Sequence, residues 1–129
     1  MARKILIVED NPDLSELLAT YLNAVGYETS QAGNSAQGIS KALIERPDLI
    51  LTDLNLPDMT AIQATETLKQ NPLTSAIPIV VLTATSLGEW KDKALKAGVA
   101  EYLIKPIPPP ALAEVLRRVI DTPSHLNEL

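Results

Sequence analysis

Four short apolar runs in the chain are continuous rather than alternating: Ile5-Leu6-Ile7-Val8, Leu49-Ile50-Leu51, Ile79-Val80-Val81-Leu82 and Tyr102-Leu103-Ile104. Strands read this way when both of their faces are covered, as in parallel sheets. A fifth run, Tyr27 to Ala32, is more polar and fits an edge strand. Helical patterns fill the gaps. Asn11 can cap a first helix with Pro12 at its first position, and Leu14, Leu17, Leu18, Tyr21 and Leu22 recur at helical spacing before Gly26. A second helix is predicted over Ser35 to Glu45, capped by Asn34, with Ile39 and Leu43 inward and Pro47 as its stop. A third runs near Ala61 to Gln70 and a fourth near Leu87 to Ala97, closed by Gly98. The last carries Leu112, Val115, Leu116, Val119 and Ile120, the clearest amphipathic stripe in the chain.

The pattern is strand then helix, five times over. That predicts an α/β fold, a doubly wound (βα)5 unit with a five-stranded parallel sheet and helices on both faces. The 129 residues suit one domain with one main core, expected over 1–121, with 122–129 as a tail. Composition narrows the chemistry. Hydrophobic residues make up 46% and charged residues 21%, a globular balance. The absence of Cys removes disulfides, zinc-thiolate sites and thiol nucleophiles together. A net charge of −5 argues against a general nucleic-acid binder. The stretch Leu87 to Ile120 carries a small positive surplus, so the remainder is the acidic part. No apolar run approaches the roughly 20 residues of a membrane helix. The N-terminus has no signal-peptide pattern, and a cytoplasmic location is expected.

Open parallel sheets bind ligands beyond the carboxyl ends of their strands. Glu9 and Asp10 follow the first strand, Asp53 the third, Thr83 ends the fourth, and Lys105-Pro106 follows the fifth. Three carboxylates, one hydroxyl and one ammonium therefore meet at one sheet edge. Carboxylates in such proximity repel unless a cation offsets them, and Mg2+ favours oxygen ligands. A metal beside Asp53 would neutralise and orient a phosphoryl group in transfer, and a carboxylate can take that group as an acyl phosphate. Lys105 could pair with its oxygens and Thr83 could donate to another.

In this order, over Lys4 to Asp121, the stations Glu9-Asp10, Asp53, Thr83-Ala84 and Lys105-Pro106 resemble the CheY-like receiver domains of two-component response regulators. The resemblance implies the flavodoxin-like strand order 2-1-3-4-5. It implies that Asp53 accepts phosphate from a histidine kinase or phosphotransfer protein. It further implies Mg2+ held by Glu9, Asp10, Asp53 and the main-chain carbonyl of Asn55. Thr83 would swing toward the phosphoryl group, Tyr102 would rotate inward with it, and the Lys105-Pro106 bond would be cis. The signal would pass to the face of the fourth helix, fifth strand and fifth helix. The domain would act as a signalling phosphoacceptor and not as an enzyme with an external substrate. It would be a monomer or a phosphorylation-dependent dimer, with its downstream protein partner unspecified.

One departure stands out. Many receivers carry Asp-Gly where this chain has Thr60-Ala61, and Ala tolerates positive φ less well than Gly. The loop before the third helix is therefore expected to differ in shape, and with it the phosphorylation lifetime. Competing functions fare less well. A haloacid-dehalogenase-type phosphatase wants a second Asp two residues after the nucleophile, where Asn55 cannot shuttle a proton. A pseudo-receiver would not need intact stations. An FMN-binding flavodoxin-like protein would want a Ser/Thr/Gly-rich loop after Val8. His125, the one histidine, lies in the tail and is read as non-catalytic, which excludes Ser-His-Asp and Cys-His chemistry. Trp90 is read as half-buried packing or as a partner-facing aromatic, and Lys91, Lys93 and Lys96 as a solvated or partner-binding face. The chain is expected to be either a stand-alone receiver or a receiver cut from a longer protein.

Overall fold

The structure is a computed structural model, and it describes residues 2–86 and 88–122. Ten elements alternate: β1 (Lys4–Val8), α1 (Pro12–Ala24), β2 (Glu28–Ala32), α2 (Ser35–Glu45), β3 (Leu49–Thr52), α3 (Ala61–Lys69), β4 (Ile79–Thr83), α4 (Gly88–Ala97), β5 (Glu101–Ile104) and α5 (Pro109–Asp121). The strands form one parallel sheet in the order β2-β1-β3-β4-β5. Every predicted strand and helix is present; His125 and Leu87, the expected start of the fourth helix, lie outside the described residues.

The continuous apolar runs have a direct cause. Successive strand side chains point to opposite faces, and each face has its own core. Leu6, Val8, Ile50, Ile79 and Val81 pack with Ala42, Ala61, Leu68 and Ala94 beneath α2, α3 and α4. Ile5, Ile7, Leu49, Leu51, Val80 and Leu82 pack with Ala19, Leu22, Leu112 and Leu116 beneath α1 and α5. The polar strand β2 lies at one edge, as its composition predicts.

Helix ends follow their residues. Asn11 accepts from the N–H groups of Asp13 and Leu14, and Asn34 accepts from Gln37. Gly26 and Gly98 adopt φ of 107° and 114° after α1 and α4, a region that a side chain would strain. Two expectations need correction. Leu17 is 61% exposed. The buried positions of α1 are Ser15, Ala19 and Leu22, so small residues let the helix sit close to the sheet and Leu17 falls outside the stripe. Leu43 is only half-buried.

The loop before α3 shows what Thr60-Ala61 does in place of Asp-Gly. Ala61 does not take a positive φ; it is fully buried as the first residue of α3. Thr60 caps that helix in an extended conformation. Its hydroxyl accepts from Gln63 N–H, and the Gln63 side chain accepts from Thr60 N–H. This reciprocal cap satisfies two donors at once, so a Thr-Ala pair starts the helix without a glycine.

Candidate functional site

The sheet ladder itself carries the functional residues into place. Glu9 N–H donates to Ala32 O at 3.0 Å, Asp53 N–H to Val8 O at 3.1 Å, and Lys105 N–H to Thr83 O at 2.8 Å. Each residue just beyond a strand thus stays hydrogen-bonded to the neighbouring strand. Their side chains meet at the carboxyl edge of β1, β3 and β5.

Lys105 is the hub. Its Nζ lies 2.9 Å from Asp53 Oδ2 and 3.0 Å from Glu9 Oε1. One oxygen from each of Glu9, Asp10 and Asp53 lies within 4.8 Å of the others. Glu9 is buried, Asp53 half-buried and Asp10 exposed, so the cluster opens to solvent on the Asp10 side. Burial pushes the Glu9 carboxyl up, against the opposing pull of the Asn11 N–H and Lys105. Burial would lower the Lys105 ammonium, but bonds to Asp53 and Glu9 outweigh it and hold the group above its ordinary value. Three carboxylates against one ammonium leave an uncompensated negative charge, and every free donor is a hard oxygen. That set fits a small divalent cation.

A second group of contacts lies beside the first and centres on Thr85, which the sequence reading did not single out. Asn55 Nδ2 donates to Thr85 Oγ1 at 3.0 Å, while Tyr102 Oη donates to the Thr85 carbonyl at 2.7 Å. Thr85 N–H in turn donates to Thr83 Oγ1 at 3.3 Å. Thr83 and Tyr102 are both buried, and Tyr102 already points into the core beneath α4. Burial, then the Asp53 charge, raises the Tyr102 hydroxyl. Asn55 also donates its N–H to Asp53 Oδ1 at 3.2 Å, which joins the two groups. The Lys105-Pro106 peptide is cis.

All seven residues named from the sequence therefore lie in one region. Glu9, Asp10, Asp53 and Lys105 meet directly, and Asn55, Thr83 and Tyr102 meet through Thr85. Trp90 is half-buried against the core beneath α4, with Lys93 Nζ 4.9 Å from its ring centroid. Lys91, Lys93 and Lys96 are exposed.

Comparison with known proteins adds a family. The family model described as the response regulator receiver domain matches residues 5–117. The chain belongs to that family. Among its relatives, this receiver is 36% identical over 120 residues to the phosphate regulon transcriptional regulatory protein PhoB of Pseudomonas aeruginosa, covering 93% of this chain and 52% of that protein. It is 32% identical over 117 residues to the polar-differentiation response regulator DivK of Brucella anthropi, covering 91% and 95%. The chain spans about half the length of the first curated relatives it matches. Among solved structures, the receiver domain of a Pseudomonas aeruginosa sensor histidine kinase, described with a magnesium ion in its active-site cleft, superposes with a TM-score of 0.87 at 31% identity, covering 95% of this chain and 100% of that one. The chemotaxis response regulator CheY4 of Vibrio cholerae superposes with a TM-score of 0.87 at 28% identity, covering 92% and 99%. The receiver family is that of two-component phosphoacceptors, and the strand order is that of its CheY-like members.

Proposed function

We propose that Asp53 is the phosphoacceptor of this receiver domain, with Glu9, Asp10, Thr83 and Lys105 as the groups that serve it. The observation that carries this reading is the position of Lys105 Nζ, within 3.0 Å of both Asp53 and Glu9. An Asp53 oxygen attacks phosphorus, the phosphorus–nitrogen bond of a donor phosphohistidine breaks, and the departing imidazole retains the bonding pair and a proton. Lys105 follows the new phosphoryl oxygens and Thr83 donates to one of them. Glu9, Asp10, Asp53 and the Asn55 carbonyl would hold Mg2+, which supplies charge neutralisation and orientation to the phosphoryl group.

The remaining roles belong to the same reading. Histidine kinases or phosphotransfer proteins supply the phosphate, and the chain turns over no external substrate. Tyr102 and Thr83, tied to one loop through Thr85, transmit the state of Asp53 to the face of α4, β5 and α5, which carries the exposed lysines of α4. A downstream protein reads that face, from a monomer or a phosphorylation-dependent dimer, in the cytoplasm. The receiver unit is taken as 1–121, supported by the end of α5 at Asp121, with 122–129 as its tail. No helix among the described residues is long and apolar enough to cross a membrane.

The test is phosphorylation by a small phosphodonor with Mg2+, followed by mass mapping of the modified residue. Wild type should carry an acid- and base-labile acyl phosphate on Asp53, and Asp53→Ala should carry none. Equal labelling of the two proteins would sink the reading.

A further inference from the structure

The segment that follows Asp53 is held at three places. At its base, Ala61 N–H donates to Leu54 O at 2.9 Å, and Asn55 and Thr60 form an isolated antiparallel bridge. At its side, Asn55 is bonded to Thr85. At its tip stands Asp58, outside the cluster of carboxylates around Lys105. Asp58 Oδ1 accepts from Ser35 N–H at 2.9 Å and Oδ2 accepts from Ala36 N–H at 2.8 Å. Ser35 Oγ returns a bond to Met59 O at 3.1 Å.

These bonds complete the N-terminus of α2. A helix begins with four N–H groups that lack intrahelical partners. Asn34 takes Gln37 N–H with its side chain and Gly38 N–H with its carbonyl. The first two donors, Ser35 and Ala36, have no acceptor on their own element, and Asp58 supplies both. The helix dipole favours a negative charge there. In agreement, the bonds from Ala36 and Ser35 hold the Asp58 carboxyl below its ordinary range.

We propose that Asp58 is a positioning residue of the phosphorylation site. By fastening the tip of the loop to α2, it fixes the loop that carries Asn55, whose carbonyl would help to hold Mg2+. This rests on the phosphoacceptor reading above and assigns a role to a residue that reading does not use. It also makes α2 a participant: any displacement of the loop when Asp53 is modified must move the N-terminus of α2 or break the two bonds.

The test is Mg2+ titration of the unphosphorylated protein, followed by amide chemical shifts of Asp10 and Asn55, in wild type, Asp58→Ala and Asp58→Asn. Amide exchange at Ser35 and Ala36 is measured alongside. Both variants lose one negative charge, but Asn keeps one oxygen acceptor. Positioning therefore predicts unequal losses: about tenfold weaker Mg2+ binding for Asp58→Ala, the scale found for outer groups that orient metal ligands, and a smaller loss for Asp58→Asn. Equal losses in the two variants would mark a through-space charge effect and overturn the proposal. So would wild-type affinity in either variant once exchange at Ser35 and Ala36 has risen. If Asp58→Ala fails to fold, Asp58→Asn alone decides on this second criterion. A wild type that binds Mg2+ and accepts phosphate while the variants match it would leave the phosphoacceptor reading intact and remove only this one. A wild type that binds no Mg2+ would remove both.

Discussion

Glu9 holds Lys105 with one oxygen and the start of α1 with the other: Oε1 lies 3.0 Å from Lys105 Nζ and Oε2 accepts from Asn11 N–H at 3.1 Å. A buried carboxylate with both oxygens engaged has little freedom, so Lys105 is shared between two fixed partners rather than owned by Asp53. Glu9→Gln keeps the shape but removes the charge. Lys105 should then pair with Asp53 alone, and its ammonium resonance should respond to Asp53→Asn more strongly in the Glu9→Gln background than in wild type. Equal responses in NMR titrations of the two backgrounds would contradict the shared arrangement.

Stability should fall on acidification through Glu45. Burial alone would raise this carboxyl, but the Lys4 ammonium, 3.0 Å from its Oε1, brings it below the ordinary value of 4.5. A carboxyl depressed in the fold contributes stability above its unfolded value, and that contribution disappears as pH falls through the folded value. Both partners are partly exposed, so the pair is worth at most about 1 kcal/mol. Urea unfolding should show Glu45→Gln less stable than wild type at pH 7, with the gap closing below pH 4.5. Glu9 has the opposite sign. Its raised carboxyl favours the protonated fold, so its contribution is present at low pH and lost as pH rises.

Gly38 faces the site strand. A Cβ placed there would lie 2.9 Å from Val8 Cγ2 and 3.2 Å from Cγ1. Alanine would gain up to about 1 kcal/mol in helix propensity, while overpacking typically costs about 1–3 kcal/mol. Gly38→Ala should therefore destabilise in thermal or urea unfolding. Adding Val8→Ala should recover part of the loss, because the two sites share one space.

Thr60 and Ala61 offer a direct check on the loop before α3. Thr60→Ala should cost about 1 kcal/mol through loss of the helix cap. Ala61→Gly should also destabilise, by about 1 kcal/mol, since no positive φ is there to be relieved and a buried methyl is lost. A stabilising Ala61→Gly would show strain at this position.

Thr85→Val should release the side-chain amide of Asn55, at a cost of at most about 1 kcal/mol for one exposed bond. The Tyr102 bond goes to the Thr85 main chain and should survive. Exchange of the Asn55 side-chain amide, with the Tyr102 environment unchanged, separates these two contacts.

The parallel sheet was legible because Ile5 to Val8 and Ile79 to Leu82 are apolar on both faces, a pattern with few other meanings. The site was legible because Glu9, Asp53, Thr83 and Lys105 each sit just past such a run. Thr85 and Asp58 were not, since their partners Asn55 and Ser35 are 30 and 23 residues away. Neither contact leaves a local trace. Leu17 was misplaced for another reason. Spacing marks a helical stripe, but the close approach of α1 through Ser15 and Ala19 rotates the buried side toward small residues that a search for large apolar ones passes over. At Ala61 the change from Asp-Gly pointed to a different loop without saying which, while the adjacent Thr60 and Gln63 already spelled the helix cap that forms there.

Trp90 is the chain's single tryptophan, set half-buried on α4 against the same core that holds Tyr102 and Ala94. The ammonium of Lys93 lies over its ring. Its ultraviolet emission therefore comes from one site, next to the strand and loop through which Asp53 would be sensed. The native protein carries its own optical gauge of that region, needing no label and no added residue.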